Sequence, residues 1–307
     1  MLAIIAPGQG SQSPGFLNSW LEDERLLQRL GSWSDAIGLD LVRLGTSADA
    51  DEIRDTANAQ PLIVGAGLIG MHALGIVNFQ VTAGHSVGEI TAASLSGVIS
   101  AHDAMTLVRE RGLAMAVAAA RSPTGMSAVL GGERENVLAV IASLNLIAAN
   151  ENGAGQIVAA GDLGALAKLS ENPPAGARVR ALAVAGAFHT PVMQPAVGKL
   201  NEFASHLSVN NPTVTVISNK DGEHVSSGRA ILDRIVNQIA NPVRWDLCMQ
   251  TLGDLGVTAV LELPPAGTLV GLIKRALPHV ETCALKSPDD IDAARDLISR
   301  HSEGLGA

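Results

Sequence analysis

The chain has 307 residues, 47% of them hydrophobic and 17% charged, which is enough for a sizeable core and argues against disorder. Its formal net charge of −9, with three Trp, four Phe and no Tyr, argues against nucleic acid and anionic membrane as partners. Cys248 and Cys283 show neither metal-ligand spacing nor a disulfide framework, so they are expected to pack as apolar groups in a reducing compartment. Met1–Ala6 is too short for a signal peptide and no run of 18 apolar residues occurs, so the expectation is a cytoplasmic α/β protein.

Residues 2–6 read as a first buried strand, followed by the tight loop Pro7-Gly-Gln-Gly-Ser-Gln12. This loop is not a dinucleotide fingerprint, because Ser13 replaces the third glycine and Pro14-Gly15 interrupts any helix. Residues 21–45 look helical with polar breaks, and the acidic stretch 48–56 is expected to be solvated. Pro61 suits the first turn of a buried helix that runs to Leu74.

An apolar run, residues 79–83, then enters Gly84-His85-Ser86-Val87-Gly88, and Glu89 opens a helix-compatible run of small residues. Strand, sharp turn and helix around Gly-x-Ser-x-Gly is the context of a nucleophile elbow, although the motif alone is weak. Residues 100–120 form a helix whose Ala104, Leu107, Val108, Arg111 and Met115 share one face. Arg111 thus sits on an apolar face and needs an anion, either an internal carboxylate or one carried by a substrate.

A break at 121–125 precedes strand 126–130, helix 133–144, strands 146–150 and 156–160, helix 162–171 and strand 178–185. That β-α-β-β-α-β order predicts an inserted ferredoxin-like domain at 119–188. Residues 1–118 and 189–307 then form one discontinuous, α/β-hydrolase-like domain with a parallel sheet core. His189 falls at the junction between the two, where clefts form, and reads either as a packed junction residue or as a base. Strands at 214–218, 257–263 and 282–285 and helices at 230–240, 267–277 and from 289 complete the chain.

Six segments in order resemble the malonyl-CoA:acyl carrier protein transacylases, over essentially the whole length. They are Pro7–Gln12, Gly84–Glu89, Arg109-Glu-Arg-Gly112, Asn152-Gly-Ala-Gly-Gln-Ile-Val158, Ala187-Phe-His189 and Gln238-Ile-Ala-Asn-Pro-Val-Arg-Trp245. The resemblance implies Ser86 as nucleophile, His189 as general base, and the main-chain carbonyl of Gln238 in place of a triad carboxylate. It implies an oxyanion hole at the backbone of Gln9 and Val87, Arg111 as holder of the malonyl carboxylate, and Met115, Phe188 and Asn152 in the substrate pocket. Eight acidic residues lie between Ser86 and His189, and none is singled out as a triad acid. One departure is Leu263-Pro-Pro-Ala-Gly267, where many relatives have Gly-Pro-Gly, so that wall of the site is expected to differ.

The implied activity is transfer of malonyl from malonyl-CoA to the phosphopantetheine thiol of acyl carrier protein in fatty acid biosynthesis, by a monomer, with no cofactor or metal. Three alternatives stand beside it. One is a malonyl-loading acyltransferase of malonate decarboxylase or a trans-acting polyketide synthase. The others are a serine thioesterase or hydrolase, and an inactive carrier-protein-binding module. Carrier proteins are usually acidic, so docking needs a basic patch; Arg178 with Arg180, or Lys274 with Arg275, are the candidates.

Overall fold

A computed structural model describes residues 1–184 and 186–302. Ala185, the expected end of a strand, and residues 303–307 lie outside the described residues. Strand β1 (Leu2–Ala6) is buried along its whole length and ends in the Pro7–Gln12 loop. Helices α1 (Glu24–Ile37), α2 (Leu41–Thr46) and α3 (Thr56–Leu74) follow. The supposedly solvated stretch before α3 is partly inside, since Ala48, Ile53 and Thr56 are buried.

Helix α3 starts five residues before Pro61, because Asp55 caps it by accepting from the Ala57 N–H. Pro61 is therefore inside the helix and cannot donate to the carbonyl of Ala57, four residues back. Arg109 makes good the loss: its guanidinium donates to that oxygen at 2.8 Å. The proline thus ties α3 to the helix that carries Arg111.

Strand β2 (Val81–Gly84) leads through the elbow into α4 (Gly88–Leu95), and α5 (Ala101–Ala119) follows, capped by Ser100. Then come β3 (Thr124–Gly131), α6 (Arg134–Ser143), β4 (Ile147–Gly153), β5 (Gln156–Asp162), α7 (Leu163–Glu171) and β6 (Ala177–Ala181). The chain continues through α8 (Gln194–Ser205), β7 (Thr215–Ile217), α9 (Gly228–Gln238), β8 (Val243–Arg244) and α10 (Trp245–Asp254). It ends with β9 (Ala259–Glu262), α11 (Thr268–Ala276), β10 (Glu281–Ala284) and α12 (Ile291–His301).

Two sheets result. The first is wholly parallel, in the order β10-β9-β1-β2-β7. Alternate residues of β1 enter different cores: Leu2 and Ile4 join the cluster that includes α3 and α5, and Ala3 and Ile5 the one built from α10 and α11. Burial on both faces explains the unbroken apolar run. The ends of β1 and β2 lie side by side, which places the Pro7–Gln12 loop against the elbow.

The second sheet has the order β6-β3-β5-β4-β8. Its pairs β3–β5, β3–β6 and β4–β5 are antiparallel, while β8 runs parallel to β4. Two expectations need correction. The strand placed at 178–185 stops at Ala181. The second sheet also recruits a fifth strand, β8, from the returning chain, because Asn150 and Glu151 pair with Val243 and Arg244. Among the described residues, no helix is long and apolar enough to cross a membrane.

Candidate active site

The elbow is held by close packing. A side chain at Gly84 would put its Cβ 1.9 Å from the Gly88 carbonyl carbon, and one at Gly88 would lie 2.3 Å from the Ala6 oxygen. Only hydrogen fits at either place. Between them Ser86 takes the left-handed conformation, φ 51°, uncommon for a residue with a side chain. Asn219 supports the turn on both sides: its Oδ1 accepts from the Ser86 N–H at 2.7 Å, and its Nδ2 donates to the Gly84 carbonyl at 2.6 Å.

His189 is also left-handed, φ 61°, and its N–H donates to the Ile239 carbonyl. Its Nε2 lies 2.7 Å from Ser86 Oγ, and its Nδ1 lies 2.9 Å from the main-chain oxygen of Gln238. A carbonyl only accepts, so Nδ1 carries the proton and Nε2 presents its lone pair to the serine hydroxyl. Among the described residues, no carboxylate bonds either ring nitrogen. Burial, then the nearby Arg111 charge, push the imidazole down to about 3, so it is neutral near pH 7 with its Nε2 lone pair free.

Arg111 is 1% exposed. Its Nη1 donates to Gln60 Oε1 at 2.6 Å and its Nη2 to the side-chain Oε1 of Gln238 at 2.8 Å. The same Nη2 lies 3.3 Å from Ser86 Oγ, and Nε has no partner. Among the described residues, no acidic oxygen lies within 4 Å of the guanidinium, so the internal ion pair is not found. Burial lowers Arg111 to about 10, with Glu89 pulling the other way, and it stays charged at neutral pH.

These groups share a cavity of about 330 Å³, which Gln9, Val87, Met115, Asn152 and Phe188 also line. Among the described residues, the backbone N–H of neither Gln9 nor Val87 has an acceptor. Asn152 Oδ1 is engaged with His85 Nε2 at 2.9 Å, and Met115 Sδ accepts from Gln60 Nε2 at 3.5 Å. Gln238 stands behind the cavity rather than in it. It lines instead a larger groove of about 1010 Å³ between α6 and α9 that holds neither Ser86 nor His189.

Four residues of the site lay outside the sequence expectation: Gln60, His85, Glu89 and Asn219. Glu89 is 5% exposed and accepts from the Asn219 N–H at 2.6 Å and from Gln238 Nε2 at 2.5 Å. Burial raises it to about 7, against the pull of those two donors and of Arg111. A carboxylate in the first turn of a helix reads as an ordinary dipole partner, and Asn219 reads as a turn residue. Nothing local marks either as buried beneath a serine. The arrangement as a whole supplies a hydroxyl, a base, two free N–H donors and a buried cation within one small cavity, which is the equipment for acyl transfer to and from serine.

The family model for the acyl transferase domain matches residues 4–291. The malonyl CoA-acyl carrier protein transacylase of Mycobacterium tuberculosis is 51% identical over 302 residues, covering 97% of this chain and all of that one. A solved structure of MCAT from Mycobacterium tuberculosis superposes with a TM-score of 0.92 at 52% identity, over 95% of this chain and 99% of that one. A malonyl-transacylase in complex with its type II PKS acyl-carrier protein gives a TM-score of 0.90 at 28% identity, over 96% and 99% of the two chains. With the match spanning nearly its whole length, the chain belongs to the acyl transferase family.

Proposed function

We propose that the enzyme moves a malonyl group from malonyl-CoA to the phosphopantetheine thiol of acyl carrier protein, in fatty acid biosynthesis, through a malonyl-serine intermediate. The observation that carries this reading is Arg111. A buried guanidinium held by two amide oxygens, with no carboxylate among the described residues within 4 Å of it, stands 3.3 Å from the Ser86 hydroxyl. An acyl group ending in a carboxylate supplies the missing anion. The 51% identical Mycobacterium tuberculosis relative and the carrier-protein complex support the same substrate and partner.

In the first half-reaction Ser86 Oγ attacks the thioester carbonyl while its proton passes to His189 Nε2. The N–H groups of Gln9 and Val87 receive the oxyanion. The C–S bond breaks, and the imidazolium returns the proton to the departing sulfur, so CoA leaves as thiol. In the second half the carrier-protein thiol gives its proton to His189 and its sulfur attacks the ester. The C–Oγ bond then breaks and Ser86 regains the proton. Every atom and proton balances with these residues alone, so no cofactor or metal is called for, and a monomer is the proposed working form. The Gln238 carbonyl steadies the imidazolium. Phe188 and Met115 shape the pocket around a short acyl chain, and Asn152, which lines the same cavity, contacts bound substrate.

The finer architecture belongs to the same reading. Residues 1–118 with 189–307 form the α/β-hydrolase-like catalytic domain, and 119–188 form the ferredoxin-like domain. The order β6-β3-β5-β4 with α6 and α7 supports the second assignment.

The test is a chase. Enzyme loaded with radiolabelled malonyl-CoA holds label on Ser86, and Ser86→Ala holds none. Label chased with carrier protein disappears much faster than with buffer. Equal decay in the two arms establishes a hydrolase, and label retained by Ser86→Ala removes the serine from the mechanism.

A further inference from the structure

We propose that Glu89 is a positioning residue for acyl selectivity: its carboxylate fixes the side-chain amide of Gln238 so that the amide carbonyl holds Arg111 in place for a carboxylated acyl group. The inference rests on the malonyl reading above and deepens it.

The amide of Gln238 sits between two unlike neighbours. On one side Arg111 Nη2 can only donate, so it requires Oε1. On the other, Nε2 reaches three acceptors, Glu89 Oε2 at 2.5 Å, the Ser86 carbonyl at 3.1 Å and Asn219 Oδ1 at 3.3 Å, of which Glu89 is the nearest and the one that carries charge. Glu89 is held in turn by the Asn219 N–H on its other oxygen. Both groups that face the carboxylate are donors, so the position requires an acceptor-only side chain. The isosteric Gln can satisfy one donor and must point its own NH₂ at the other.

Only the side chain of Gln238 is involved. Its main-chain oxygen, the partner of His189 Nδ1, is set by the end of α9, so the link from Glu89 runs to Arg111 and not to the base. Glu89 also sees Arg111 electrostatically at one remove, which spares the guanidinium a direct carboxylate and leaves its Nη2 3.3 Å from the Ser86 hydroxyl. The first turn of α4, where Glu89 stands, favours negative charge and offsets part of the cost of burying it.

The experiment compares kcat/KM for malonyl-CoA and acetyl-CoA, with melting temperatures, in wild type, Glu89→Gln, Gln238→Met and the double variant. Glu89→Gln is expected to lower the preference for malonyl roughly tenfold, the size of one hydrogen bond to a charged group, mainly through a higher KM for malonyl-CoA. Gln238→Met is expected to lose the same preference, and the double variant no more than either single. Removing a negative charge with no effect on Arg111's placement instead strengthens its pull on an anionic acyl group. A gain in malonyl preference therefore overturns the proposal, as does an unchanged preference or an equal loss with both substrates. Should Glu89→Gln fail to fold, Gln238→Met decides alone: retained preference overturns the proposal. Failure of the underlying reading looks different, since wild-type enzyme then shows no preference for malonyl-CoA at all.

Discussion

Replacing Arg111 by Ala separates a substrate-binding arginine from a structural one. In the variant a malonyl carboxylate enters a buried pocket with no cation. Breaking such a pair costs about 3–5 kcal/mol, which is a fall of roughly 10²- to 10³-fold or more in kcat/KM for malonyl-CoA. Acetyl-CoA carries no carboxylate and escapes that loss. It meets instead a roomier pocket and two amide oxygens, on Gln60 and Gln238, freed from their donor. The expected outcome is a collapse of the malonyl-to-acetyl ratio, with acetyl transfer kept or improved. Both substrates are assayed by steady-state transfer and by acyl-enzyme labelling, with a melting curve to score the freed amides separately. An equal fall for the two substrates refutes the reasoning and makes Arg111 a scaffold residue.

Two further outcomes follow from the geometry. Gly84→Ala places a methyl 1.9 Å from the Gly88 carbonyl carbon, a backbone atom that cannot move aside, so the variant should be grossly destabilised or insoluble; a melting temperature near wild type contradicts the elbow packing. His189 is depressed from about 6.5 to about 3 by burial, so the unfolded chain binds a proton that the folded one refuses. Its contribution to stability is full above pH 6.5 and is lost as pH falls from 6.5 toward 3. Relative to His189→Asn, wild type should lose about 2 kcal/mol between pH 6.5 and 5, read from chemical denaturation at each pH; parallel curves would mean that the folded protein protonates His189 freely.

Much of this was legible in the chain because the signals are local. The face shared by Ala104, Leu107, Val108, Arg111 and Met115 needs only the period of a helix, and all five are buried in α5. The β-α-β-β-α-β order likewise follows from alternation and turns. What stayed hidden depends on distant contacts. Asn219 bonds Ser86 across 133 positions and Gln238 meets Glu89 across 149, and no window of sequence holds both partners. Two-residue β8 has no pattern of its own and exists only because β4 offers it an edge. Helices α8 and α10 were not among the expected elements. Pro61 misled in a different way, by suiting a first turn when Asp55 had already started the helix.

Strand β8 has a mechanical consequence. It stitches the returning chain to the second sheet through Asn150 and Glu151, and Arg244 clasps Glu151 and Asp246 at the same seam. The few residues leading into the stitch begin at Gln238, whose carbonyl seats the imidazole, and the residue after it, Trp245, meets His85 edge-on beside Ser86. The second sheet is therefore not a free flap. Any separation of the two sheets pulls on the segment that aims the base, so the pairing that joins them also holds His189 in register with Ser86.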